Sequence, residues 1–245
     1  MTNLYKANTK RLFHNLLYIA GCVIAIVATA LFTAGMMHNS YFDRLGEETR
    51  MLFISAAMVA FFTIFVPIFT NPEYADGCIR NKIVMGYTQK QIYMTYLLSH
   101  FTAAFVMWLF YMAGGIIGGA RLNVKTLLIN IVILFAVFSY ISLLLIISLR
   151  LKKMVTVVIL SILVLNVNYT CVMFGNALLT LTKGTSRKIG AIIYNIPSLG
   201  QWFSHSGFAD DFTNPGMLIQ LNISLIIILV TTLLGTLAIN KRDLA

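Results

Sequence analysis

Six uninterrupted apolar stretches dominate this sequence, at about residues 16–37, 51–70, 92–119, 126–149, 154–175 and 217–239. A helix needs about 20 residues to cross a hydrocarbon core of about 30 Å, and each stretch reaches that length. The runs are continuously apolar rather than alternating, which argues against a strand barrel. With 59% hydrophobic and 11% charged residues, and a mean hydropathy of +0.84, a soluble domain of 245 residues could not hide its apolar surface. The expected fold class is an all-α integral membrane protein: a single transmembrane domain over residues 1–245 with six membrane-spanning helices.

The basic residues orient it. With both termini in the cytosol, eleven of the eighteen Lys and Arg fall inside and seven outside, the sense of the positive-inside rule. The turn Arg150-Leu151-Lys152-Lys153, between spans four and five, is the strongest anchor. Lys241 and Arg242 mark the inner end of span six. The apolar run after Lys10-Arg11 is too long for a cleavable signal peptide and reads as a retained first span. The net charge of +10 is read as loop retention and headgroup contact, not nucleic-acid binding. Cys22, Cys78 and Cys171 have no metal-ligand spacing and read as reduced. Residues 176–216, between spans five and six, are apolar but broken by Pro197 and several glycines. They predict short interfacial helices or a shallow re-entrant segment, with Trp202 near the headgroups.

Between spans two and three lies a stretch with its own helix signals. Asn71 suits an N-cap, Pro72 the first helical position, and Glu73 the first turn. Gly86 suits a left-handed C-terminal cap, and Thr88 with Gln91 forms a capping box for the next helix. The resulting helix, 72–85, is amphipathic. Tyr74, Ala75, Cys78, Ile79, Ile83 and Met85 share one side; Glu73, Asp76, Gly77, Arg80 and Asn81 share the other. Asp76 precedes Arg80 by four residues in the stabilising order. Such a helix either lies in the inner headgroups, with Lys82 snorkelling, or presents its charged side to a cytosolic partner.

Polar residues within the spans are few. Asn130 in span four, and Asn166, Asn168 and Tyr169 in span five, are candidates to line a translocation path, although such residues more often bond between helices. His100 has no intramembrane carboxylate to pair with, and no span carries an interior Asp or Glu, which argues against proton or sodium coupling. Gly114, Gly115, Gly118 and Gly119 form two overlapping Gly-xxx-Gly pairs, read as intramolecular packing ahead of a dimer contact. Pro67 reads as a loop-entry proline or a kink in span two. Glu47-Glu48-Thr49-Arg50 superficially resembles the paired-glutamate motif of intramembrane proteases, but its arginine spacing does not fit. His100 and His205 have no partner motif. No catalytic or metal-binding residue is therefore assigned, and the chain reads as a non-enzyme.

The six spans, the basic amphipathic start, and the pattern Glu73…Gly77…Arg80-Asn81-Lys82…Gly86-Tyr87-Thr88…Gln91-Ile92-Tyr93 together resemble the permease subunit of ABC-2-type exporters. Among these the chain looks most like small Gram-positive peptide exporters of the phenol-soluble modulin or bacteriocin-immunity type. The resemblance implies that residues 2–14 form an elbow helix, with Lys6 and Lys10 opposite Leu4, Tyr5 and Leu12. It also implies that 72–85 is a coupling helix, with Glu73, Tyr74, Asp76, Gly77, Arg80 and Asn81 meeting the ATPase. No nucleotide-binding motif is present in this chain. ATP and Mg are thus expected on two copies of a partner ATPase. A second permease subunit, identical or a sibling, would complete a pathway for amphipathic peptides or another hydrophobic compound across a bacterial cytoplasmic membrane. The alternative is a non-transporting immunity or sensor protein that binds a membrane-active peptide.

Overall fold

The structure, a computed structural model, describes residues 1–36, 44–75, 77–151 and 153–240, with all their side chains except those of 74, 75 and 238–240. Asp76, the side chain of Tyr74, and the orientation markers Lys152, Lys241 and Arg242 lie outside what is described. The described residues form an all-helical bundle. A short helix, α1 (Thr2–Phe13), leads into α2 (Leu16–Thr33), then α3 (Glu47–Ala75), α4 (Cys78–Val84) and α5 (Gln89–Ile117). These are followed by α6 (Val124–Arg150), α7 (Met154–Leu181), α8 (Gly184–Tyr194), α9 (Ser198–Phe203), a 3-10 turn (Asp211–Thr213) and α10 (Met217–Asn240). Helices α2, α3, α5, α6, α7 and α10 are long and apolar enough to span a membrane, so this is a multi-pass membrane protein. Successive spans alternate in direction, which puts α1, α4 and the α6–α7 turn at one end and α8, α9 and the 3-10 turn at the other.

Span α6 is the most enclosed, packed by α10 on one flank and α3 on another, whereas α7 and α10 are the least enclosed. Between helices surrounded by lipid, apolar burial supplies little drive, so association rests on close packing and interhelical polar bonds. Both are present. A Cβ added at Gly114 would sit 2.5 Å from the Ile26 carbonyl oxygen, and one at Gly118 would sit 2.7 Å from that of Ala30. The glycine stripe of α5 is therefore the seat of α2, the intramolecular role expected for it. Buried hydroxyls bridge the other contacts: Thr63 Oγ1 to Tyr140 Oη at 2.9 Å, Ser142 Oγ to Thr231 Oγ1 at 2.7 Å, and Tyr18 Oη donating to the Ala103 carbonyl at 2.9 Å. Each such bond contributes about 0.6–2 kcal/mol.

The boundary between α3 and α4 departs from the sequence expectation. Asn71 does not cap a new helix, and Pro72 does not open one; α3 runs through Pro67, Asn71 and Pro72 to Ala75. At about 1.5 Å per residue its 29 residues reach about 44 Å, well beyond a hydrocarbon core. Asn71 is fully buried, and its Nδ2 donates to the Leu151 carbonyl at 2.8 Å, fastening α3 to the α6–α7 turn. The break falls instead at Gly77, whose φ of +70° is open to glycine and strained for other residues. The expected helix 72–85 is therefore the last turn of α3 followed by the separate, seven-residue α4. Its C-terminal half follows expectation. Gly86 has φ +89°, its N–H bonds Ile83 O, and the Tyr87 N–H bonds Lys82 O, a Schellman cap. The Thr88–Gln91 capping box is complete in both directions.

Candidate functional site

The N-terminal helix buries Leu4, Asn8 and Leu12, one residue per turn, and turns Lys6 and Lys10 outward. This seats Arg11 beside the end of α3. There Glu73, expected on an outward polar face, is turned inward and is 6% exposed. Its carboxylate is ion-paired on one oxygen by Arg11 and on the other by Lys82 of α4, and it accepts from the Tyr96 hydroxyl of α5. Lys82 Nζ also donates to Tyr96 Oη at 2.9 Å and reaches Asn8 Oδ1 at 3.5 Å. The second Arg11 nitrogen donates to the Phe69 carbonyl at 2.9 Å, three residues before Pro72, and its guanidinium lies 4.0 Å over the Phe69 ring. One buried carboxylate thus joins α1, α3, α4 and α5. A buried ion needs this degree of pairing, since an isolated one would cost several kcal/mol.

With Lys82 and Ile79 turned inward, α4 presents Arg80, Asn81, Val84 and Met85 to the surroundings, the last two at 80% and 67% exposure. Arg80 and Asn81 keep the outward position expected of them. Met85, read from the sequence as part of the apolar inner side, is outside, and Val84 was not singled out. The break at Gly77 sets the rotation of α4 and so brings both outside. Gly77 lies at the hinge between α3 and α4.

The four candidate path residues do not converge. Asn130 is fully buried, accepts from Tyr111 Oη at 2.9 Å and donates to Thr126 O at 2.8 Å, while its carbonyl takes the Trp108 indole N–H at 3.2 Å. It clamps α5 to α6. Asn168 Oδ1 accepts the Leu199 N–H at 3.1 Å and so caps α9. Asn166 and Tyr169 lie on the exposed side of α7 together with Thr170. His100 is buried, with Nδ1 2.8 Å from the Tyr96 carbonyl and its ring against Phe65 and Phe69, a packing role between α5 and α3.

At the opposite end α7 continues to Leu181, the residues beyond it up to 216 break into short helices, and Trp202 is buried among them. Its indole donates to the Leu52 carbonyl at 2.6 Å, and its ring meets Phe53 edge-on. A polar network unseen in the sequence lies beside it. Gln220 Nε2 donates to Asn195 Oδ1 and to Ser204 Oγ, both at 2.8 Å, and Gln201 Nε2 donates to Ser224 Oγ at 3.0 Å. With both Gln220 N–H bonds used, its Oε1 accepts from His205 Nε2 at 2.9 Å. Burial holds the His205 imidazole below its ordinary range; the Gln220 bond opposes this, and the charge of Lys125 adds to it. Glutamines inside an otherwise apolar stretch were the available sign, because in lipid each must find a partner.

No protein-family model matches the chain, and no curated protein sequence does.

Proposed function

We propose that this chain is the membrane-spanning permease subunit of an ATP-driven exporter of the ABC-2 type, carrying amphipathic peptides or another hydrophobic compound out across a bacterial cytoplasmic membrane. Both termini then lie in the cytosol, α1 is the elbow helix, and α4 is the coupling helix seated on a partner ATPase that holds ATP and Mg. The observation that carries this reading is the buried Glu73 cluster. It fixes a solvent-facing α4 rigidly to α1, to α3 and to α5 through side chains rather than backbone. A push on Arg80, Asn81, Val84 or Met85 passes through Lys82 into Glu73 and Tyr96, and so into two spans at once. Glu73 is then a transmitting residue within this chain, not a direct partner contact.

The pathway needs a second permease subunit, and α7 is suited to face it. This sparsely covered span turns Asn166, Tyr169 and Thr170 outward. Polar groups facing hydrocarbon are unfavourable, so such a face prefers protein or a water-filled path. The experiment is purification of the tagged chain from its host in mild detergent, with mass spectrometry of co-purifying proteins. A P-loop ATPase is expected in about equal amount, and is expected to be lost from the surface variant Arg80→Glu/Met85→Asp while the chain itself remains folded. Recovery of the chain alone after crosslinking in the membrane overturns the reading.

A further inference from the structure

At the end opposite α4, a cavity of about 720 Å³ opens between α8, the segment after the 3-10 turn and the first turn of α10. Its walls have two characters. Gly184, Arg187 and Lys188 line one part; Ala191, Ile192, Phe212 and Ile219 line the other. The basic and apolar parts are one helical turn apart along α8, about 6 Å. We propose that this cavity binds an anionic phospholipid, its phosphate held by Arg187 and Lys188 and the start of its acyl chains lying along Ile192, Phe212 and Ile219.

Three observations select this occupant. First, Arg187 is held in place: its Nε donates to the Thr182 carbonyl at 2.6 Å and its guanidinium lies 4.5 Å over the Phe212 ring. Its terminal nitrogens remain without a hydrogen-bond partner among the described residues, and an arginine fork fixed by its stem is suited to phosphate oxygens. Second, neither Arg187 nor Lys188 is ion-paired among the described residues. Asp210 and Asp211 are exposed in the neighbouring turn, and the ion pairs among the described residues all involve Glu73. Lys183 at the N-cap and Arg187 and Lys188 within the first five residues of α8 also crowd the positive end of its dipole, an arrangement that an anion relieves. Third, the surroundings are lipid-like. Ile192 and Ile219 in its wall are themselves exposed, and Ile219 belongs to the first turn of a membrane span. A soluble phosphate would leave the apolar wall unused; a neutral lipid would leave the charge unused. The inference is independent of any ATPase or cargo.

The test is titration of the purified full-length chain in nonionic detergent with phosphatidylglycerol or phosphatidylcholine, read as bound lipid by native mass spectrometry. One basic side chain near an anionic headgroup is worth about fivefold in affinity, so the pair predicts a preference of about twenty-fivefold for phosphatidylglycerol. Lys188→Gln, at an exposed side chain, is expected to lower that preference about fivefold without affecting folding. Ile219→Trp, which narrows the apolar part of the cavity but keeps the charge, is expected to lower it. Lys90→Gln, at the other end of the bundle, is expected to leave it unchanged. Equal binding of the two lipids, or a preference that survives both cavity variants, overturns the proposal. So does displacement of the lipid by millimolar inorganic phosphate, or by an acidic peptide alone, since either identifies a different occupant.

Discussion

Removing the Glu73 charge tests whether the cluster at the end of α3 holds the fold of that region together. The side chains of Glu73 and Lys82 are 8% and 12% exposed, whereas that of Arg11 is 42% exposed. The two pairs therefore differ in kind. Arg11 can regain water if its partner is lost, so Arg11→Met should cost under about 1 kcal/mol. Lys82 cannot, so Glu73→Gln leaves its charge buried and uncompensated and should cost about 3–5 kcal/mol, whereas Lys82→Met leaves Glu73 paired with Arg11 and should cost less. The double variant Glu73→Gln/Lys82→Met removes both buried charges. It should return to within about 2 kcal/mol of the native chain, a coupling well above additive error. Hydrogen exchange at the amides of α1 and α4, in detergent, reads the opening free energy where the cluster acts. Glu73→Gln should exchange there about a hundredfold faster or more, Lys82→Met less, and the double variant far less than the product of the two. Exchange in the double variant equal to the sum of the single effects would refute the argument, because the loss would then come from shape and hydrogen bonding rather than from stranded charge.

Two further outcomes follow from the packing and the buried polar network. Gly118→Val places a Cβ 2.6 Å from Thr33 Cβ and 2.7 Å from the Ala30 carbonyl oxygen; overpacking of about 1–3 kcal/mol should lower the unfolding temperature in detergent, and an unchanged temperature would argue against α2 seated on this stripe. His205 has a folded-state pKa held below the ordinary imidazole value of about 6.5. Its contribution is therefore complete above that pH and declines as acid protonates the unfolded chain first, until pH falls through the lower folded value. Stability measured from pH 7.5 to 5 should fall, and His205→Gln should flatten that part of the profile; an identical slope in both proteins would place the titration elsewhere.

How far the sequence could be read depended on the range of the interaction concerned. The spans were legible because each apolar run is its own signal, and the Thr88–Gln91 box and the Gly86 cap were legible because their partners lie within a few residues. Asn71 misled for the complementary reason. Its neighbours fit an N-cap, but its side chain goes to Leu151, eighty residues away, and that partner is invisible to a local pattern. Glu73 likewise looked like a dipole-matched surface acid until Arg11 and Lys82 were found around it. Asn130 was legible as polar, though not as the acceptor of Tyr111, and the Gln201–Gln220 network went unread because its members are scattered over the end of α8, α9 and the start of α10. The candidate docking surface was half visible: Arg80 and Asn81 by charge and position, Val84 and Met85 only once the break at Gly77 set the rotation of α4.

The Asn71–Leu151 bond has a consequence for how this chain can vary. Leu151 belongs to the Arg150–Lys153 turn, the segment read from the sequence as the strongest orientation anchor. Asn71 sits in the last turns of α3, a few residues from the hinge that carries α4. The expected insertion signal and the lever that would meet a partner are thus stapled together by one side-chain amide. Drift in the basic turn then perturbs the position of the lever, and remodelling of the lever perturbs the turn, so neither segment is free to diverge independently.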